Sequence, residues 1–242
     1  MRSPAYLTAS RSWSWFVAGL LALAALAFAP EALAHGVAEN DKAFIQGSTG
    51  VHIAPYIYLG AKHMVTGYDH LLFLFGVIFF LYRLKDVVHY VTLFAVGHST
   101  TLLFGVLTGT HANPLVIDAI IGLSVVYKAL DNLGGLKRVI GFDPNPKAAV
   151  LIFGFFHGFG LATKIQELAL SRDGLIPNLI SFNVGVEIGQ FLALSAILIL
   201  MSLWRQTANF GRSAVVVNAA LMCAGLVLMG FQLSGLLVER TA

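Results

Sequence analysis

Six long apolar runs dominate this 242-residue chain, at roughly 53 to 82, 87 to 108, 114 to 134, 147 to 165, 177 to 203 and 213 to 237. Short gaps bearing charges, glycine or proline separate them. About 20 apolar residues at helical rise match a hydrocarbon core about 30 Å thick. Inside lipid every backbone N–H and C=O must be paired within the segment, so each run is forced into helix. Composition points the same way: 57% of residues are hydrophobic and 11% are charged, against about 25% charged in a globular domain. The expected fold is all-α, a polytopic transmembrane bundle of about six helices in contact with the lipid bilayer.

Charge and cysteine content exclude other classes. The net charge of +3 comes from basic residues scattered singly between apolar runs, which is no footprint for nucleic acid. A single cysteine, Cys223, allows neither an internal disulfide nor a thiolate cluster. Any metal site must therefore use histidine and carboxylate.

The amino terminus has a basic start at Arg2 and Arg11, an apolar stretch from Trp13 to Phe28, and Ala32-Leu33-Ala34 before His35. That is the pattern of a cleaved signal peptide. The expected organisation is a signal peptide over 1–34, an exported segment over 35–52 and a six-helix transmembrane domain over 53–242. With the mature start outside, the inner loops hold Arg83, Lys85, Lys137, Arg138, Lys147, Arg205 and Arg212, and the outer segments hold Lys42, Lys62, Lys164, Arg172 and Arg240. This bias agrees with retention of basic loops on the cytoplasmic side.

A charged side chain within hydrocarbon costs about 2.5 to 3.5 kcal/mol on insertion scales, so each one retained needs a partner or a function. Within or beside the spans lie His63, Asp69, His70, His98, Asp118, Lys128, Asp131, His157, Asn183, Glu187 and Gln190. At about 1.5 Å per residue, His70, His98, His157 and Glu187 all fall near mid-membrane. Lys128 and Asp131, three residues apart, can pair with each other. Asp118, near an outer helix end, is either solvated there or placed at an entrance.

The run His63-Met-Val-Thr-Gly-Tyr-Asp69-His70 is the most informative. In a continuous helix the two imidazoles stand about 10 Å apart along the axis, too far to share an ion at a bond length near 2.1 Å. Either they are successive stations on a path, or the helix is broken around Gly60 and Gly67 and the rings converge. Asp69 can orient a neighbouring histidine or ligate directly. Asn183, Glu187 and Gln190 occupy positions i, i+4 and i+7 and form one polar stripe. His157 lies in Phe155-Phe156-His157-Gly158, and His98 precedes Ser99-Thr100-Thr101. The candidate metal ligands are thus His63, Asp69, His70, His98, His157, Asn183 and Glu187.

The His63-x5-Asp69-His70 signature, Phe156-His157-Gly158, His98-Ser-Thr-Thr-Leu and Phe182-Asn183-x-Gly185-x-Glu187-x-Gly189-Gln190 together resemble the HupE/UreJ family. These are small polytopic bacterial membrane proteins linked to hydrogenase and urease maturation. The resemblance implies nickel or cobalt permeation across the cytoplasmic membrane, with the first motif important for transport. It departs from the better-characterised permeases at Leu161 and Lys164, where their later motif carries a second histidine and a glutamate.

The leading expectation is a divalent-metal permease with no prosthetic group and no catalysis of its own. No Gly-x4-Gly-Lys-Ser/Thr phosphate loop is present. An intramembrane zinc-dependent hydrolase, with His70, His98 and His157 as ligands, and an accessory role in metalloenzyme maturation are the alternatives. Self-association is left open.

Overall fold

The computed structural model describes residues 39–168 and 171–241; the expected signal peptide lies outside them. The described residues are helical throughout, with no strand among them. The helices are α1 (Glu39–Gly47), α2 (Ile53–Thr66), α3 (Tyr68–Ile78), α4 (Leu84–Thr108), α5 (Pro114–Asn132), α6 (Leu136–Ile140), α7 (Pro146–Gln166), α8 (Leu175–Arg205) and α9 (Phe210–Thr241).

All six apolar runs are helical, and two differ from a plain span. The first is broken at Gly67, which ends α2 and caps α3. The third, α5, carries Asp118, Lys128 and Asp131 within its 19 residues. The helices long and apolar enough to cross a membrane uninterrupted are α4, α7, α8 and α9.

Start signals set the boundaries. In Asn113-Pro114 and Asn145-Pro146 the asparagine Oδ1 accepts two backbone N–H bonds, from Leu115 and Val116 in α5 and from Lys147 and Ala148 in α7. The proline fits the first helical position, where no N–H is needed. At the other end of α3, the Arg205 guanidinium donates to the carbonyls of Ile78 (2.6 Å), Phe79 (2.7 Å) and Leu81 (3.0 Å). The Ile78 carbonyl also accepts the Leu81 N–H at 3.0 Å, and a cation at this helix end meets the negative pole of the helix dipole.

The bundle is built from three tight pairs, α2 with α8, α4 with α7, and α5 with α9, with α3 packed chiefly on α5 and also touching α4, α8 and α9. Glycines let the paired backbones approach. A Cβ at Gly60 would overlap the Phe182 carbonyl of α8, and one at Gly185 the Ile57 carbonyl of α2. Between bilayer helices no hydrophobic drive separates protein from lipid, so close packing of small residues and buried polar bonds hold them together. The polar bonds are present: Asn132 Nδ2 donates to the Gly76 carbonyl at 2.9 Å and to Asn218 Oδ1 at 2.8 Å, tying α5 to α3 and α9.

Candidate functional site

The break at Gly67 settles which geometry the first motif adopts. Because α2 stops at Thr66 and α3 restarts at Tyr68, the His63 and His70 rings converge to 5.1 Å between centroids. Glycine is required by space there: a Cβ at position 67 would stand 2.8 Å from His70 Nδ1 and 3.0 Å from the His63 carbonyl. Gly60 plays no part in the break and serves the contact with α8 instead.

Two further helices deliver imidazoles to the same place. His98 of α4 lies 5.4 Å from His70 and 6.4 Å from His63, and His157 of α7 lies 5.0 Å from His70, all between ring centroids. His70, His98 and His157 are fully buried. His63, His70 and His98 each offer one ring nitrogen, and the three atoms lie within 4.8 Å of one another. Nitrogens around one tetrahedral ion at about 2.1 Å stand about 3.4 Å apart, so closure on an ion asks for rotamer adjustments of about an ångström.

Hydrogen bonds fix the tautomers. His157 Nδ1 is 2.8 Å from the Phe153 carbonyl, which can only accept, so the proton sits on Nδ1 and the lone pair on Nε2. His70 Nδ1 lies 3.0 Å from Asp69 Oδ1, which also accepts the His70 backbone N–H at 2.9 Å. Asp69 thereby presents the His70 Nε2 lone pair to the cluster, the orienting role a carboxylate plays behind a metal-bound imidazole. Four imidazoles at one buried place, with a carboxylate behind one of them, are a donor set that suits nickel, cobalt, zinc or copper.

Close helix packing holds the imidazoles in register. A Cβ at Gly158 would overlap the His98 carbonyl and stand 2.5 Å from Thr101 Oγ1, while Thr101 Oγ1 donates across the pair to the Phe155 carbonyl at 2.7 Å. Gly158→Ala is expected to cost about 1 to 3 kcal/mol, as overpacking does where backbone cannot yield. Gly230, with open space around its Cβ position, supplies the matched control. Melting temperatures in detergent should fall for Gly158→Ala and hold for Gly230→Ala.

The remaining two candidate ligands, Asn183 and Glu187, are carried by α8. Asn183 is buried on α8, and its Nδ2 donates to the Leu179 carbonyl of its own helix at 3.1 Å. Glu187 is exposed on α8, so the stripe expected from Asn183, Glu187 and Gln190 is divided. At about 100° per residue, Glu187 lies roughly 40° round the helix from Asn183 and roughly 60° from Gln190. That rotation carries it past the edge of the buried face, while Gln190 stays inside and donates to the Val91 carbonyl at 3.2 Å.

Asp118 is not left to solvent at its helix end. It accepts from Lys164 Nζ at 2.6 Å, with side chains 8% and 15% exposed, a buried ion pair between α5 and α7. The partners are 46 residues apart in sequence, and no local pattern announces their meeting. Lys128 and Asp131 do pair as their spacing allows.

No curated protein and no solved structure matches the chain. A family model described as HupE / UreJ protein matches residues 39–240, which takes in all but the last residue of the described helices and every histidine of the cluster. This multi-pass membrane protein belongs to the HupE/UreJ family.

Proposed function

We propose that the protein is a permease for a divalent transition-metal ion, nickel or cobalt, in the bacterial cytoplasmic membrane. The family supports a membrane role in nickel or cobalt transport or metalloenzyme maturation. The observation that favours permeation is the meeting of four imidazoles from α2, α3, α4 and α7 at one buried place. Such groups are costly within a bilayer and commonly mark an ion path.

In this reading the ion is substrate, exchanging water for the ring nitrogens of His63, His70, His98 and His157. Asp69 holds His70 in the ligating tautomer. Glu187, exposed on α8, takes no part in holding the ion. The amino terminus is exported and its leader removed after Ala34, and the basic loops between spans face the cytoplasm. An inward potential then favours a divalent cation by about 4.6 kcal/mol per 100 mV, twice the single-charge figure, which is drive enough without nucleotide hydrolysis.

The test is uptake into proteoliposomes loaded with a metal-sensitive dye. With the interior held negative, external nickel or cobalt should quench the dye well above the rate in protein-free vesicles, and cobalt should compete with nickel. Equal rates with and without protein, for both ions, overturn the reading.

A further inference from the structure

The histidine layer rests on a layer of phenylalanines. Phe73 follows His70 by three residues, and Phe94 and Phe153 precede His98 and His157 by four. Side-chain contacts show α4 and α7 running parallel and α3 running against them: residue 70 meets 98 and 157, while residue 73 meets 94 and 153. All three phenylalanines therefore lie one helical turn from the histidines toward the same end of the bundle. Their rings close on one another, Phe73 to Phe94 at 5.6 Å and Phe73 to Phe153 at 5.7 Å, and abut the histidines, Phe94 to His157 at 5.1 Å and Phe73 to His157 at 5.4 Å.

Beyond this collar the chemistry changes from nitrogen to oxygen. A cavity of about 210 Å³ begins at Phe73 and Phe153 and is lined also by Tyr90, Tyr127, Lys128 and Asp131. Its volume exceeds that of several waters, each about 30 Å³ in the liquid. Asp131 stays 36% exposed at the far end while holding Lys128, which is 14% exposed. The Lys128 stem lies where a Cβ at Gly76 of α3 would touch it, at 3.1 Å. A carboxylate and two tyrosines lining a space roomy enough for water suit a partly hydrated divalent cation, and the lysine ammonium occupies the carboxylate when no such ion is there.

We propose that this cavity is a second cation station, where an ion leaving the histidines regains water against Asp131, and that Phe73, Phe94 and Phe153 form the dry gate between the two. The proposal rests on the permeation reading above for the ion's direction of travel, while occupancy of the cavity stands on its own. The ion displaces Lys128 from Asp131, and the freed ammonium turns toward the aqueous end. Hydrocarbon contacts among the three rings exclude water from the histidine layer, so the ion passes only as the rings rotate.

Cys223 is the single cysteine, so a Cys223→Ser chain carrying Ala149→Cys reports on the cavity that Ala149 lines. In proteoliposomes a membrane-impermeant thiol reagent should label that position from one face only. Nickel alone should slow the labelling several-fold, and Asp131→Asn should remove this protection. No labelling from either face, no protection, or protection that persists in Asp131→Asn, which would be nickel on the new thiol, each overturns the station. For the gate, Phe73→Ala and Phe153→Leu are measured together so that one misfolded variant does not decide the matter. Nickel uptake should rise several-fold, and uptake at the parent rate in the folded variants overturns it. If the parent carries no nickel while protection holds, permeation fails and the cavity site remains.

Discussion

His70→Ala abolishes nickel uptake in proteoliposomes, down to the rate of protein-free vesicles, while the variant still inserts and is recovered from the membrane in parent amounts. The expectation follows from position. His70 is the imidazole that all the others meet, at 5.1 Å from His63, 5.4 Å from His98 and 5.0 Å from His157. Removing it takes a nitrogen from the centre of the group and leaves His63, His98 and His157 without the ring that each of them meets. Asp69→Asn grades the effect. An amide can offer its oxygen to His70 Nδ1 but carries no charge, so His70 is oriented less firmly and becomes a weaker base. Loss of such an orienting group typically costs about 10- to 100-fold in metal affinity, read here as the nickel concentration giving half-maximal uptake. A His70→Ala protein that fills vesicles at the parent rate places the ion path elsewhere.

The parts of this arrangement legible in the sequence are those that depend on length and local chemistry. Each apolar run is long enough to dictate helix by itself, and Asn113-Pro114 and Asn145-Pro146 announce two helix starts through the side chain and the missing N–H. The depth of His70, His98 and His157 follows from counting residues, because rise per residue is nearly constant. Whether His63 and His70 converge does not follow, since the run through Gly67 can continue or break; α2 then packs on α8 and α3 chiefly on α5, and no local pattern announces those partners. The exposure of Glu187 is hidden for a different reason. A helical stripe tells which residues share a face, but the edge of the buried arc depends on the neighbours, and an uncertainty of about 40° moves a residue from pocket to surface. The phenylalanine layer under the histidines was hidden in the same sense. Phe73, Phe94 and Phe153 look like ordinary core residues until the opposed directions of α3 and α4 are known.

The pair between Lys164 and Asp118 carries the second large expectation, and its sign depends on how many partners are changed. The ammonium and the carboxylate are both withdrawn from solvent, at 15% and 8% exposed, so each was desolvated on folding and each is compensated chiefly by the other. Lys164→Met keeps the stem and deletes the charge, leaving the Asp118 carboxylate buried beside Gly160, whose Cβ position is 3.6 Å from Asp118 Oδ1. Breaking a buried pair in this way costs about 3 to 5 kcal/mol. At about 2 to 4 °C per kcal/mol for a chain of this size, the melting temperature in detergent should drop by roughly 6 to 20 °C. Replacing both partners, Asp118→Leu with Lys164→Met, removes the orphaned charge and fills the space with hydrocarbon, and such exchanges are commonly neutral or stabilising by about 1 to 4 kcal/mol. The double variant should therefore melt at or above the parent, well above either single variant. Additive losses would mean that the two side chains act independently. If the double variant recovers stability but not nickel uptake, the pair is retained for the ion's passage, since its charges stand one α7 turn beyond Gly160, on the side of the histidines opposite the phenylalanine collar.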